Sequence, residues 1–369
     1  MNVEDELLLL AVSADREAHG SRIADLLRAA RLDRLIAELR RLRVLPVLGE
    51  RLGRHAELPA PLRHAIDEDR RNNALRGMLA EANTHELHRA LDAEGIRMLA
   101  LKGQTLAVEA HGSPDMRDST DIDVLVPVER LWDATAVLVR MGYRVSTRGP
   151  DLPSLHVVAA HRTEARPAIE LHWRIHWYED AFSRRLLDTS TPGPDGLLRP
   201  QAATMFASLL AYYARDGFAA VRLLADIVGF AERHPDLLSS RVVADEVRRH
   251  PPLQPAIAAA AQAVRELAGL SIPGVGETLN WRQRLAVRLA DPLQRSSFDQ
   301  RVSVTHLVDG LLTPRGGARD YFLGRLTMYD TRVDNATHLA RTGVRWLLAL
   351  AACAPRGAGH LRLAPHDGG

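Results

Sequence analysis

Lysine is almost missing from this chain. Of the 48 basic residues in 369, one, Lys102, is lysine and the others are arginine. A GC-rich coding sequence produces such a bias, which makes the surviving ammonium informative. Arginine presents a rigid planar fork and lysine a compact point charge on a flexible stem, so the two are not interchangeable beside phosphate. Cysteine is equally scarce: Cys353 stands alone, which excludes an internal disulfide framework and fits a reducing cytoplasm. No apolar stretch approaches the ~18 residues of a membrane span. The opening MNVEDELLLLAV carries acids where a signal peptide needs positive charge. A dense basic block is missing too. With a net charge of +2, the chain lacks the surface that neutralises many phosphates, which argues against a long nucleic-acid partner. GxSxG, HExxH and metal-type Cys/His clusters are absent, and the 16 histidines are scattered.

What the chain does carry is concentrated between Met98 and Val126, MLALKGQTLAVEAHGSPDMRDSTDIDVLV. The pattern predicts a strand over Ile96 to Leu101, a short helix over Gln104 to Ala110 and a second strand over Asp121 to Val126. Gly103, at the head of the helix, lets an anion approach free backbone N–H groups. Residues two apart in a strand share a face, so Asp121 and Asp123 point one way and Ile122, Val124 and Val126 the other. Two carboxylates side by side repel, and a cation between them is the usual remedy. Oxygen-rich sites of this kind suit magnesium or manganese, with substrate phosphates completing the shell. Lys102, and Arg117 in the polar loop over Gly112 to Thr120, are candidate phosphate contacts. Alternation returns in AIELHWRIHW, with Ile169, Leu171, Trp173, Ile175 and Trp177 on one face and Glu170, His172, Arg174 and His176 on the other.

In this order, LKG, a spacer bearing an arginine, DIDVLV and ELHW resemble the bacterial nucleotidyltransferase family, an uncharacterised branch of the DNA polymerase beta superfamily. The resemblance covers roughly Leu99 to Trp177. It implies that Glu170 joins Asp121 and Asp123 on one small sheet, the three holding two divalent ions about 3.5–4 Å apart for in-line phosphoryl displacement. It also implies that Lys102, Gly103 and Gln104 hold the triphosphate of an NTP, with ATP the default. Gln104 stands where the wider superfamily has glycine or serine. His172 fits a supporting hydrogen bonder. Asp226, at i,i+4 spacing from Arg222 on a later helix, either orients substrate or forms an ordinary helix ion pair.

The fold expected is α+β, a small mixed sheet flanked by helical regions. Residues 1–94 read as an N-terminal helical region, with apolar residues at three- and four-residue steps and a long helix from about Pro61 to Glu94. The core spans 95–190. Thr191 to Gly196 reads as a linker or turn. Residues 197–355 read as a C-terminal helical domain, with helices over Gln201 to Arg233, Trp281 to Leu312 and Val344 to Ala352. Residues 356–369 read as a disordered tail rich in glycine, proline and histidine.

The function expected is cytoplasmic transfer of a nucleoside monophosphate from an NTP to a hydroxyl, with release of pyrophosphate. A small molecule, a peptide or a protein side chain fits as acceptor. Three alternatives stay open on the sequence: a non-catalytic binding protein of the same fold, a kinase-like phosphotransferase using the same metal site, and a helical structural protein with coincidental motifs. The sequence carries no signal for the base, the acceptor or the oligomeric state.

Overall fold

The computed structural model describes residues 2–145, 152, 155–163, 166–176 and 179–314. Trp177, Cys353, the expected helix over Val344 to Ala352 and the tail lie outside the described residues.

Five short strands form one mixed sheet: β1 (Leu99–Ala100), β2 (Asp121–Leu125), β3 (Tyr143–Val145), β4 (His156–His161) and β5 (Ala168–His172), in the order β1-β2-β5-β4-β3. β2 runs parallel to β5, and the other three pairings are antiparallel. The period-two pattern decides which face is dry. Ile122, Val124, Val157, Ala159, Ile169 and Leu171 are buried in one cluster with Leu87, Leu91, Leu131 and Leu138 of the overlying helices. The opposite face carries Asp121, Asp123, Glu170, His172 and His156.

Fifteen α-helices surround this sheet among the described residues. Before it come α1 (Val3–Val12), α2 (Gly20–Ala29), α3 (Leu32–Arg41), α4 (Leu45–Gly53) and the 33-residue α5 (Ala60–Asp92). Between its strands lie α6 (Gln104–His111) and α7 (Leu131–Arg140). After it come α8 (Ala181–Asp188), α9 (Ala202–Arg215), α10 (Val221–Arg233), α11 (Asp236–Ser239), α12 (Val242–Arg248), α13 (Gln254–Ala268), α14 (Trp281–Arg288) and α15 (Phe298–Leu312). The helices on either side of the sheet do not keep separate cores. Leu7 to Val12 of α1 are all buried, in one apolar cluster with Leu35, Phe206, Tyr213, Ile227 and Val264. A helix apolar on every side is a core helix, and α1 sits inside the helical layer. Among the described residues, no helix is long and apolar enough to cross a membrane.

Two expected elements are shorter or different. The strand expected over Ala168 to Trp177 leaves the sheet at His172. The Ile175 N–H donates to Ser183 Oγ on α8 at 2.9 Å instead of to a neighbouring strand. The stretch read as a linker is a hairpin, β6 (Thr191–Pro192) paired with β7 (Leu198–Arg199). Its turn is closed by the Gly193 N–H donating to Leu197 O at 2.8 Å, and by Asp195, whose carboxylate accepts from Leu197 N–H at 3.1 Å.

Candidate active site

The register of β2 and β5 brings the carboxylates together. Asp123 and Glu170 are directly paired residues of the two parallel strands, and Asp121 precedes Asp123 by two on the same face. β1 ends just before Lys102, and the Leu101 N–H still donates to Asp123 O at 3.0 Å, so Lys102 is delivered beside Asp123. Its Nζ lies 3.6 Å from Asp123 Oδ1 and 4.5 Å from the ring centre of Tyr212 on α9. Arg215 lies over the Tyr212 ring too, at 4.7 Å, with its Nη1 on Ile175 O at 3.2 Å. The Tyr212 ring therefore holds two cations near the carboxylates without neutralising them. Burial pushes the Tyr212 hydroxyl up, so it stays protonated.

His172 ties the acids together. Its Nε2 lies 3.1 Å from Asp123 Oδ1 and 3.3 Å from Glu170 Oε2, and its ring is 1% exposed. Burial opposes the Asp123 charge, but Lys102 and His172 outweigh it and hold that carboxyl far below the ordinary range. The His172 hydrogen bond likewise lowers Glu170 against burial and the Asp123 charge. His156 of β4 packs against His172 with ring centres 4.6 Å apart and the planes tilted by 47°. Burial and the neighbouring His172 push His156 down to about 4.

A cavity of about 320 Å³ opens over Asp121 and Asp123. Its floor includes Lys102, Gly103 and Gln104; α5 supplies Glu81 and Thr84, and the hairpin supplies Asp195, Leu197 and Arg199. Gly103 has φ 75 and ψ −138, a conformation open to glycine almost alone, and it lets the chain turn from Lys102 into α6. Gly103 caps α6 with no side-chain hydrogen bond, so the first N–H groups of the helix are left to a ligand. The Gln104 amide is buried along this wall, and neither its nitrogen nor its oxygen has a hydrogen-bond partner. Such orphaned donors and acceptors are what a polar ligand would satisfy.

The remaining candidates lie elsewhere. Arg117 is 5% exposed and is no part of the cavity wall. Its Nε donates to Asp226 Oδ2 at 3.1 Å, and Asp226 Oδ1 meets His111 Nε2 of α6 at 2.9 Å. Arg117, a candidate phosphate contact, and Asp226, read as either a substrate contact or an ion-pair partner, are hydrogen-bonded to each other. Arg222, one turn before Asp226, donates to Asp118 O at 3.3 Å. Asp118 also pairs with Arg43 at 2.7 Å and Arg76 at 3.2 Å, while Arg70 holds Asp115 at 2.8 Å. Arginines from both helical regions therefore pin the loop that leads into β2.

Sequence reasoning missed Arg199, Tyr212 and Arg215. Arg199 borders the cavity and pairs with Asp195 at 2.6 Å and Glu109 at 3.8 Å. Burial raises Glu109. Among dozens of arginines nothing marked it in the sequence.

Comparison with curated proteins finds no match. Among solved structures, a solution structure of the antibiotic-resistance factor ANT(2'')-Ia matches at 17% identity and a TM-score of 0.33, over 48% of this chain and 94% of that one. That likeness is too slight to bear on substrate. The model of the uncharacterised nucleotidyltransferase family matches residues 28–269, from α2 through the sheet to the end of α13. The carboxylates of β2 and β5, the Gly103 turn and the cavity all fall inside that span, and the chain belongs to this family of nucleotidyltransferases.

Proposed function

We propose that this nucleotidyltransferase moves a nucleoside monophosphate from an NTP to an acceptor hydroxyl and releases pyrophosphate. The observation that carries the reading is the pairing of Asp123 with Glu170 across β2 and β5, with Asp121 on the same face and the cavity over the β2 acids. The donor set fits magnesium or manganese: three carboxylates on one face, with Asp123 and Glu170 held ionised by their surroundings. Held by Asp121, Asp123 and Glu170, the metal would supply charge neutralisation at the reacting phosphate and a lowered pKa for the acceptor hydroxyl.

The chain's own groups divide the remaining work. The first N–H groups of α6, Lys102 and Arg199 hold the β- and γ-phosphates, with Arg199 in the place expected of Arg117. Glu170, which is absent from the cavity wall, faces the acceptor and takes its proton. The acceptor oxygen forms its bond to the α-phosphorus as the bond to the β-bridging oxygen breaks, and the electron pair leaves on pyrophosphate. Most of the acceleration in such chemistry is positioning and electrostatic stabilisation. Lys102, 3.6 Å from Asp123 and over the Tyr212 ring, borders the cavity, and Arg199 borders it while paired with Asp195. ATP is the default donor, and a small hydroxylated molecule, a peptide or a protein is the acceptor. The single cysteine in the sequence supports a cytoplasmic setting.

The test is calorimetric binding of each of the four NTPs with magnesium, to wild type and to the Asp121→Asn/Asp123→Asn variant. Magnesium-dependent binding that the double change removes supports the site. Binding untouched by it, or a well-folded wild type that takes up no NTP, sinks the reading. With a working acceptor, formation of nucleoside diphosphate in place of pyrophosphate would reassign the enzyme to phosphoryl transfer.

A further inference from the structure

A second donor set lies behind the carboxylates, and its chemistry is not that of a magnesium site. His156 of β4 and His172 of β5 are directly paired residues of antiparallel strands, and Glu170 precedes His172 by two. The register therefore places all three side chains on one face of the sheet. Their ligand-capable atoms lie within 4.8 Å of one another. Both Nε2 atoms converge on Glu170 Oε2, at 3.3 Å from His172 and 3.9 Å from His156. A tetrahedral ion with bonds of about 2.0–2.1 Å needs its ligands about 3.3 Å apart, so small side-chain rotations close the shell. Asp123 Oδ1, 3.1 Å from His172 Nε2, is within reach as a fourth donor.

The Nδ1 atoms of His156 and His172 are buried with no hydrogen-bond partner in the protein, so these two atoms speak neither for nor against an ion at Nε2. His172 already meets Asp123 Oδ1 and Glu170 Oε2 through Nε2, the atom that would hold the ion. The shared property of the two rings is that both aim a nitrogen at one carboxylate oxygen.

We propose that His156, His172 and Glu170 form a nitrogen–oxygen site for a divalent ion of the zinc class. Imidazole suits zinc, cobalt and their neighbours, whereas magnesium takes oxygen ligands almost exclusively. The site deepens the nucleotidyl-transfer reading, on which it rests for its role but not for its existence. Because Glu170 belongs to both donor sets, the acceptor side of the centre carries a borderline ion while the oxygen-only pair Asp121 and Asp123 keeps magnesium with the nucleotide.

The experiment uses the full chain, stripped with chelator and free of nucleotide, titrated with Co²⁺ while the visible d–d bands are recorded. About one equivalent is expected to bind with the absorption of a nitrogen-ligated, low-coordinate ion. It should be displaced by Zn²⁺ and resist a large excess of Mg²⁺. His156→Phe keeps a ring against His172 and removes the donor nitrogen; its Co²⁺ affinity is expected to fall at least about tenfold. His156→Ala, checked for folding by circular dichroism, should give the same loss. Asp121→Asn should leave Co²⁺ affinity unchanged. No Co²⁺ uptake overturns the proposal, and so does uptake equal in wild type and His156→Phe. A loss confined to Asp121→Asn overturns it too, by placing the ion on the β2 carboxylates. Magnesium-dependent NTP binding, measured in parallel, separates the two readings. Its absence from wild type alongside His156-dependent Co²⁺ uptake would remove nucleotidyl transfer and leave the metal site standing.

Discussion

Two buried aspartates in this protein have nearly the same company. Asp123 lies beside Lys102 and His172, and Asp226 beside Arg117 and His111. In both, burial disfavours the charge and the cation and histidine more than reverse it, holding the carboxyl well below the usual range. The difference lies in the cation and in what is left open. Arg117 docks on Asp226 through a 3.1 Å hydrogen bond inside a closed region, and both acid oxygens are engaged. Lys102 stops 3.6 Å short of Asp123, shares its charge with the Tyr212 ring and borders a cavity. Arg117 and His111 between them take both oxygens of Asp226, whereas Lys102 acts on Asp123 as a point charge. Ion pairs of similar composition thus lie sealed in the interior in one place and beside an open cavity in the other.

Replacing each aspartate should separate those settings. Asp123→Asn is expected to lower the rate of nucleotidyl transfer by about 10³-fold or more, with a fall in unfolding midpoint smaller than that of Asp226→Asn because Lys102 borders the cavity. Product formation and urea denaturation on the same sample check it, and a variant within tenfold of wild type would break the distinction. Asp226→Asn should do the reverse. It leaves Arg117 buried without its counter-charge, a loss of about 3–5 kcal/mol, read as a lower urea midpoint at unchanged m-value.

The closeness of α10 to α6 gives a third test. A Cβ at Gly229 would sit 2.5 Å from the Ala110 backbone oxygen, so α10 can lie this near α6 only with glycine there. Gly229→Ala is expected to cost about 1–3 kcal/mol. The Asp226–His111 contact depends on the same approach, so the loss should fall short of additive in Asp226→Asn. A double-mutant cycle measures that coupling.

The smallest effect concerns acidity. The folded Asp226 carboxyl is depressed below its ordinary value of 3.8, so between the two the unfolded chain binds the extra proton. Its stabilisation is complete above about pH 4 and is lost as pH falls through the folded value. Stability measured from pH 7 down to pH 3 should therefore fall less steeply in Asp226→Asn than in wild type. Parallel curves would mean that Arg117 does not hold this charge in solution.

How much of this was legible in the sequence depends on distance along the chain. Asp121 and Asp123 declare their shared face through a period of two, and Gly103 sits where a strand meets a helix. Lys102 stands out because it is the sole lysine. Those signals are local. The family match and the five-stranded mixed sheet bear out the family and the α+β fold that the resemblance implied. The partnership of Arg117 with Asp226 spans 109 positions and leaves no periodic trace, so neither residue's pattern named the other. Arg199 was hidden by the abundance of arginine and by a hairpin that read as a linker. His156 reaches the site only through the antiparallel register of β4 and β5, which no single strand's pattern reveals.

The shared core of α1 and the later helices bears on the order in which this protein can be made. Leu7 to Leu10 are covered in part by α13, and the Ala14 N–H donates to Ala268 O at 2.8 Å. During synthesis that hydrogen bond has no acceptor until residue 268 has left the ribosome. Until then four consecutive leucines wait without their final cover, and contacts of such long sequence separation form slowly. All five strands of the sheet are made before α13, so the apolar layer that holds α1 closes only after the sheet is complete in sequence.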